Sequence, residues 1–145
     1  MEDKKFAVAT KAVIYRDGKF LILFKSTIED VNPHSYDIPG GRLQFGEKLE
    51  DGLKREAKEE AGLNVEVVQP TDAWSFLKDE NTILVGITYL TIGEEGEVNL
   101  SEEHDSFEWL SYEEVMKDSK RFPDWLVNSI EISKKLLIAY DKWEG

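Results

Sequence analysis

The stretch from Gly41 to Leu63 constrains this chain more than any other. It holds six acids (Glu47, Glu50, Asp51, Glu56, Glu59, Glu60) and five bases (Arg42, Lys48, Lys54, Arg55, Lys58). Within it Leu49, Leu53 and Ala57 recur every four residues, which predicts a helix over Leu49–Ala61 with one apolar stripe. Gly62 fits the C-terminal stop of that helix. A charge run on a helix is ordinarily a solvated face, but the spacing here argues for more. Glu56, Glu59 and Glu60 stand at i, i+3 and i+4, so at about 100° per residue they share one face within one turn of about 5.4 Å. Left unpaired, three such carboxylates repel one another and destabilise the helix, so a cation is expected to offset them. Ligands that are all oxygen point to a hard ion, Mg²⁺ first and Mn²⁺ second. Arg55 lies beside the cluster and suits a bidentate pair with a carboxylate. Glu47 precedes the helix and reaches the cluster only if the loop folds back, which Gly46 favours. Gly40 and Gly41 allow the backbone to come close to a ligand.

Around this segment the chain alternates strand-like and helix-like runs. Phe6–Tyr15 reads as a strand, Arg16-Asp17-Gly18-Lys19 as a hairpin turn, and Phe20–Phe24 as a returning strand whose unbroken apolar run predicts burial on both faces. Thr27–Tyr36 is polar, with a loop marked by Asn32-Pro33, and Asp37-Ile38-Pro39-Gly40-Gly41 reads as a rigid turn. Beyond the helix, Val65–Val68 is a short strand ended by Pro70. Ala73–Leu77 and Thr82–Thr91 form an antiparallel pair, and Phe107–Leu110 is the last strand. Ser111 caps a short helix over Tyr112–Asp118, and Pro123 opens a final helix that runs to about Trp143. Strands mixed with two or three helices imply an α/β sandwich, with residues 1–145 as one domain.

Composition narrows the function. The formal net charge of −12 argues against a polynucleotide backbone as ligand, because that binding rests on clustered Lys and Arg. It permits a small phosphorylated ligand, since a divalent cation can stand between carboxylates and phosphate oxygens. The absence of cysteine excludes disulfides and thiolate metal sites. No apolar run approaches the ~20 residues of a membrane helix. The polar N-terminus lacks the apolar core of a signal peptide, so a cytoplasmic location is expected.

The spacing Gly41, Glu47, then Arg55-Glu56-Ala57-Lys58-Glu59-Glu60-Ala61-Gly62-Leu63 resembles the Nudix signature, in which Gly and Glu precede Arg-Glu-aliphatic-any-Glu-Glu-any-Gly-aliphatic at these intervals. Every fixed residue type matches, and Ala57 is a small choice for its aliphatic slot. Pro39-Gly40-Gly41 is similar to the usual lead-in. The resemblance implies a Nudix-type α/β/α sandwich with a mixed sheet and a loop–helix–loop that holds divalent cations against a diphosphate. It implies Glu56, Glu59 and Glu60 as metal ligands, a backbone carbonyl of Gly41 as another, and Arg55 and Glu47 as supports for the carboxylates. The chemistry implied is attack of water on phosphorus, assisted by the metal, with a glutamate as general base. Ser101-Glu102-Glu103-His104-Asp105 matches the later loop that supplies this base in some members, and Glu103 is preferred over Glu102.

Other residues weigh toward ordinary roles. His34 and His104 lie in polar stretches and are expected at the surface. Tyr36, Trp74 and Phe76 can stack on a base, with core packing the leading expectation. Trp109 alternates with Phe107 on one strand face and is expected to be structural, and packing or a dimer contact is the default for Trp125 and Trp143 on the final helix. The resemblance implies a small-molecule nucleotide as substrate. The markers of the coenzyme A, ADP-ribose and NADH subgroups are missing, which leaves a MutT-like nucleoside triphosphate hydrolase, on an intact or damaged nucleotide, as the leading expectation. ADP-ribose or another sugar nucleotide stays open, as does a homodimer. A nucleotide-binding sensor without turnover is the rival, but such a module would be expected to lose one of the three carboxylates, and all are present.

Overall fold

A computed structural model describes residues 3–27 and 34–145; the Asn32-Pro33 loop expectation lies outside them. Strand β1 (Lys5–Arg16) turns at Asp17-Gly18 into β2 (Lys19–Lys25), where Tyr15 pairs with Phe20. One edge of β1 runs parallel to β6 (Thr82–Gly93) from Lys5↔Thr82 to Tyr15↔Ile92. Beyond the turn β1 and β2 part, and two short strands fill the split. Strand β3 (Tyr36–Asp37) pairs with β2, while β4 (Gly40–Arg42) pairs with β1. Pro39 joins them, and its carbonyl accepts a hydrogen bond from the Ala12 N–H at 2.7 Å. Strand β5 (Val65–Asp79) lies outside β6, and β7 (His104–Leu110) covers the far edge of β2. The result is a mixed seven-stranded sheet.

The expected two-sided burial of the Phe20–Phe24 run holds from Phe20 to Leu23. Leu21 and Leu23 join Ala12 and Ile14 on one face, against Leu53, Ala57 and Ala61 of helix α1 (Leu49–Ala61). Phe20 and Ile22 join Val13 and Tyr15 on the other face, against Val115 of α2 (Tyr112–Lys117) and Leu126, Ile130 and Leu137 of α3 (Asp124–Ala139). This is the α/β/α layering expected. The period-two alternation of a strand makes one sheet serve both cores.

Several element boundaries differ from expectation, among them the last strand, which begins at His104 rather than Phe107. Pro70 does not end a strand, because Val65–Val68 and Ala73–Leu77 belong to one strand, β5. β5 is the outermost strand beside β6, and its register slips between Val67 and Gln69 and between Pro70 and Asp72. An edge with bulges tolerates a residue that cannot donate. The final helix stops at Ala139 rather than Trp143. Asp141 takes a left-handed φ of 58°, and the chain folds back so that Trp143 stacks on Tyr15 at 5.6 Å. Pro39-Gly40-Gly41 is not only a turn, since Gly40 and Gly41 are strand residues of β4. A Cβ on Gly40 would lie 2.3 Å from the Thr10 carbonyl oxygen, so only glycine lets β4 sit this close to β1.

Candidate active site

The site is built where β4 runs into α1. Leu43 N–H bonds the Val8 carbonyl at 2.8 Å, which ends β4 and aims the following loop back over the helix. Glu47 then folds back as expected. Its Oε1 accepts the Gln44 N–H at 2.7 Å, and both its oxygens accept from Arg55, Nε at 2.7 Å and Nη2 at 3.0 Å. The same guanidinium reaches Glu56 Oε1 at 2.8 Å and Glu59 Oε2 at 3.1 Å from Nη1, and the Arg42 carbonyl at 3.1 Å from Nη2. Arg55 thus ties three carboxylates and the end of β4 together. The fork holds the Glu47 carboxyl down at about 2, with the Gln44 N–H helping, and Glu47 and Glu56 in return raise the Arg55 pKa. Arg55 thus forms the bidentate carboxylate pair that its position suggests, with Glu47, and also reaches two of the three helix carboxylates, Glu56 and Glu59.

Gly41 lies directly over Glu56. A Cβ there would meet the Glu56 carboxyl group at 2.5–2.7 Å, so the glycine opens the space that this carboxylate occupies. Glu59 is the most open of the three, with its side chain 57% exposed. Glu60 is not one of the carboxylates that Arg55 bonds, and it is buried. Its Oε1 accepts the Gly40 N–H at 3.3 Å and lies 3.9 Å from His104 Nδ1. Burial above all, with the negative charges of Asp37 and Glu103 added, pushes the Glu60 carboxyl up to about 9, against the opposing pull of Lys11 and the Gly40 N–H.

The loop carrying Glu103 is fixed at both ends. Asn99 N–H bonds the Ala61 carbonyl and Ser101 N–H the Glu60 carbonyl, which tie it to the end of α1. Ser26 N–H bonds the Glu103 carbonyl, and Ser26 Oγ donates to the Glu102 carbonyl at 2.8 Å, which tie it to the end of β2. Glu103 is exposed, yet one of its oxygens falls within 4.8 Å of donor atoms of both Glu60 and His104. His104 overturns the expectation of a surface histidine. It is 5% exposed because β7 begins at this residue and pairs it with Lys25. Its Nε2 sits 3.2 Å from Asp37 Oδ2, and Asp37 in turn forms an ion pair with Lys11. Burial alone would raise the Asp37 carboxyl, but Lys11, the His104 hydrogen bond and Lys25 outweigh it and hold the group well below the usual carboxylate range. Lys11, Asp37 and His104 were not singled out as site residues from sequence. Their signals were slight, Asp37 leading into Pro39-Gly40-Gly41 and His104 lying in the Ser101–Asp105 loop, and pairing across sixty-seven positions leaves no local pattern.

The aromatic candidates divide. His34 is exposed as expected. Tyr36 packs edge-on between Phe24 and Phe122 at 5.2 and 5.0 Å, as core packing predicts. Trp74 is half-buried and donates to Thr88 Oγ1 at 3.0 Å, but Phe76, stacked on it at 5.9 Å, is 44% exposed and is not a core residue. Trp109 packs on the α1-side core, whereas Phe107 on the same strand is exposed. Trp125 is exposed, with Lys11 Nζ 5.7 Å from its ring centroid.

Comparison with known proteins agrees with this architecture. The model of the NUDIX domain matches residues 5–128. The chain belongs to the Nudix family, and within it to the pyrophosphohydrolases. It is 25% identical over 114 residues to a nucleoside triphosphatase, NudI, of Escherichia fergusonii, covering 71% of this chain and 80% of that protein. The NudI of Escherichia coli K12 is also 25% identical, over 72% of this chain and 81% of its own length. Among solved structures, a MutT protein from Methanosarcina mazei Go1 superposes with a TM-score of 0.77 at 24% identity, covering 94% of this chain and 98% of that one. A C. elegans Ap4A hydrolase has the same fold, with a TM-score of 0.73 at 21% identity over 92% of this chain and 98% of that one. Among the described residues no helix is long and apolar enough to cross a membrane.

Proposed function

We propose that this protein hydrolyses a nucleoside triphosphate, intact or damaged, to the monophosphate and pyrophosphate in a Mg²⁺-dependent reaction, with Mn²⁺ as a substitute. One observation carries the reading: a single guanidinium, Arg55, gathers Glu47, Glu56 and Glu59 beside the Gly41 backbone, with buried Glu60 one turn from Glu56. The residues fit a divalent cation. The donors are hard oxygens, and Glu60 is a carboxylate buried beside two others, an arrangement that a positive ion stabilises. The Gly41 carbonyl, Glu56, Glu59 and Glu60 would hold it. When bound, such a cation neutralises charge on the diphosphate and lowers the pKa of water nearby.

The chain's own residues supply the rest. Arg55 fixes the carboxylate rotamers before substrate arrives, so little reorganisation is left for the reaction. Glu47 positions Arg55 through two hydrogen bonds and takes no proton in the working pH range. Glu103 stands exposed on its anchored loop and accepts the proton of the attacking water at a carboxylate oxygen. The nucleoside triphosphate reading draws on the kinship to the NudI proteins, which are named for that activity.

The test is product analysis with Mg²⁺ over a panel of nucleoside triphosphates, oxidised nucleotides, ADP-ribose and dinucleoside polyphosphates. Preferential turnover of a triphosphate, giving monophosphate and pyrophosphate, is expected. Preference for ADP-ribose or a dinucleoside polyphosphate would replace the substrate assignment, and silence across the panel by folded protein would favour a sensor.

A further inference from the structure

Behind the carboxylate face lies a histidine that the family signature does not contain. His104 is almost fully buried, its side chain 1% exposed, and among the described residues its Nδ1 has no hydrogen-bond partner. The other ring nitrogen is accounted for. It faces Asp37 Oδ2 at 3.2 Å, a carboxylate oxygen that is ion-paired with Lys11, so Nε2 is the nitrogen that donates. In the neutral imidazole Nδ1 then bears a lone pair. That lone pair lies 3.9 Å from Glu60 Oε1, and a Glu103 oxygen completes a group within 4.8 Å. An imidazole lone pair and a carboxylate oxygen are both acceptors. Buried face to face 3.9 Å apart, they are held together by a proton on the carboxyl group or by a cation between them.

We propose that His104 Nδ1 is a nitrogen ligand of the divalent cation, shared with Glu60, and that Asp37 and Lys11 fix its orientation. The inference rests on the metal-dependent reading above and adds to it a donor of a different chemical class. Distances allow it. An ion about 2.1 Å from each of two donors spans separations up to about 4.2 Å, and 3.9 Å lies inside that limit. The charges allow it too. Lys11 neutralises Asp37, which leaves Glu60 and Glu103 for the cation to balance. A histidine ligand whose second nitrogen is held by a carboxylate is the ordinary way in which proteins fix tautomer and ring direction at a metal. An imidazole donor favours Mn²⁺, and later ions such as Co²⁺, over Mg²⁺, which prefers oxygen. The site is accordingly selective for Mn²⁺ over Mg²⁺ relative to an all-oxygen version of itself.

The experiment uses the full chain with Mn²⁺ alone and reads ¹⁴N modulation in the electron spin echo of the bound ion, beside calorimetric affinities for Mn²⁺ and Mg²⁺. The comparison variant is His104→Gln, whose amide nitrogen can stand where Nε2 stood and keep the bond to Asp37 while Nδ1 is removed. Wild-type protein should show ¹⁴N coupling of a directly bound imidazole. His104→Gln should lose it and bind Mn²⁺ about 10-fold or more weaker, with a smaller change for Mg²⁺. Tight Mn²⁺ binding by the wild type without ¹⁴N coupling would overturn the His104 assignment and leave the metal-dependent reading standing. Failure of folded wild type to bind Mn²⁺ at all would overturn both.

Discussion

At the scale of single residues, the cluster of carboxylates depends on two devices, the Arg55 fork that offsets their repulsion and the bare Cα of Gly41 that leaves room for Glu56. Each device predicts a distinct failure. Glu59→Gln removes one charge from the most exposed member of the cluster and touches no core contact. Its expected result is at least about a 100-fold loss in kcat with an unchanged melting temperature; unchanged hydrolysis would remove Glu59 from the machinery. Gly41→Ala works differently. The new methyl group would sit within 2.7 Å of the Glu56 carboxyl group, and because that is the free end of a flexible side chain, Glu56 moves and the fold survives. Misplacing a reacting group by about 1 Å costs on the order of 100-fold in rate, so kinetics should fall while the circular dichroism spectrum is retained. Residue chemistry in the signature was legible in advance, since i, i+3, i+4 spacing alone puts three glutamates on one face. What stayed hidden was the partner of each. Neither the binding of Arg55 to Glu47, Glu56 and Glu59 at once nor the burial of His104 follows from spacing, because both depend on how distant segments fold back.

At the scale of elements, what matters is how a loop is held. The Glu103 loop is tied by hydrogen bonds to the ends of α1 and β2, and its Val98 and Leu100 pack against the α1-side core. Ser26 is nearly buried and donates to the Glu102 carbonyl, so Ser26→Ala leaves that acceptor without its partner. The expected cost is about 1 kcal/mol in denaturant unfolding, with a drop in kcat larger than any change in KM; a KM effect alone would argue that the loop binds substrate rather than accepting a proton. Elements with strong periodicity were read correctly from sequence. Leu49–Ala61 appears with the predicted bounds, and Ser111 caps α2 as expected, with Glu114 completing a capping box that the sequence reading did not include. The misreadings sit where tertiary context overrides a local signal. Pro70 was read as a stop, yet the bulged outer strand tolerates it. Trp143 was read as helical, yet it packs on Tyr15 after the chain has turned back. Strands β3 and β4 are too short for a period, and they exist only because β1 and β2 diverge and leave edges to be paired.

At the scale of the whole molecule, the split between β1 and β2 brings the two halves of the site together, and Asp37 lies at its centre. Its carboxyl group is held well below the usual carboxylate range by Lys11, His104 and Lys25. A depressed folded-state pKa contributes stability above the unfolded value of about 3.9, and that stability is lost as pH falls through the lower folded value. Asp37→Asn should therefore destabilise the protein at pH 7 by roughly 2 kcal/mol, a modest figure for a broken buried pair because Lys11 keeps some access to water. The difference from wild type should shrink on acidification below about pH 4. A constant difference between the two unfolding curves from pH 7 to pH 2 would show that the pair adds no linkage.

The central claim is that the Arg55-braced carboxylates support a cation-assisted cleavage within the diphosphate. The most direct measurement is hydrolysis of the preferred nucleoside triphosphate by wild type and Glu56→Gln, with Mg²⁺ and with excess chelator, resolving all phosphate products. The account predicts equal amounts of nucleoside monophosphate and pyrophosphate from wild type with Mg²⁺, and near silence in the other three conditions. Release of nucleoside diphosphate and orthophosphate, or turnover that persists under chelation or without the Glu56 carboxylate, would contradict it.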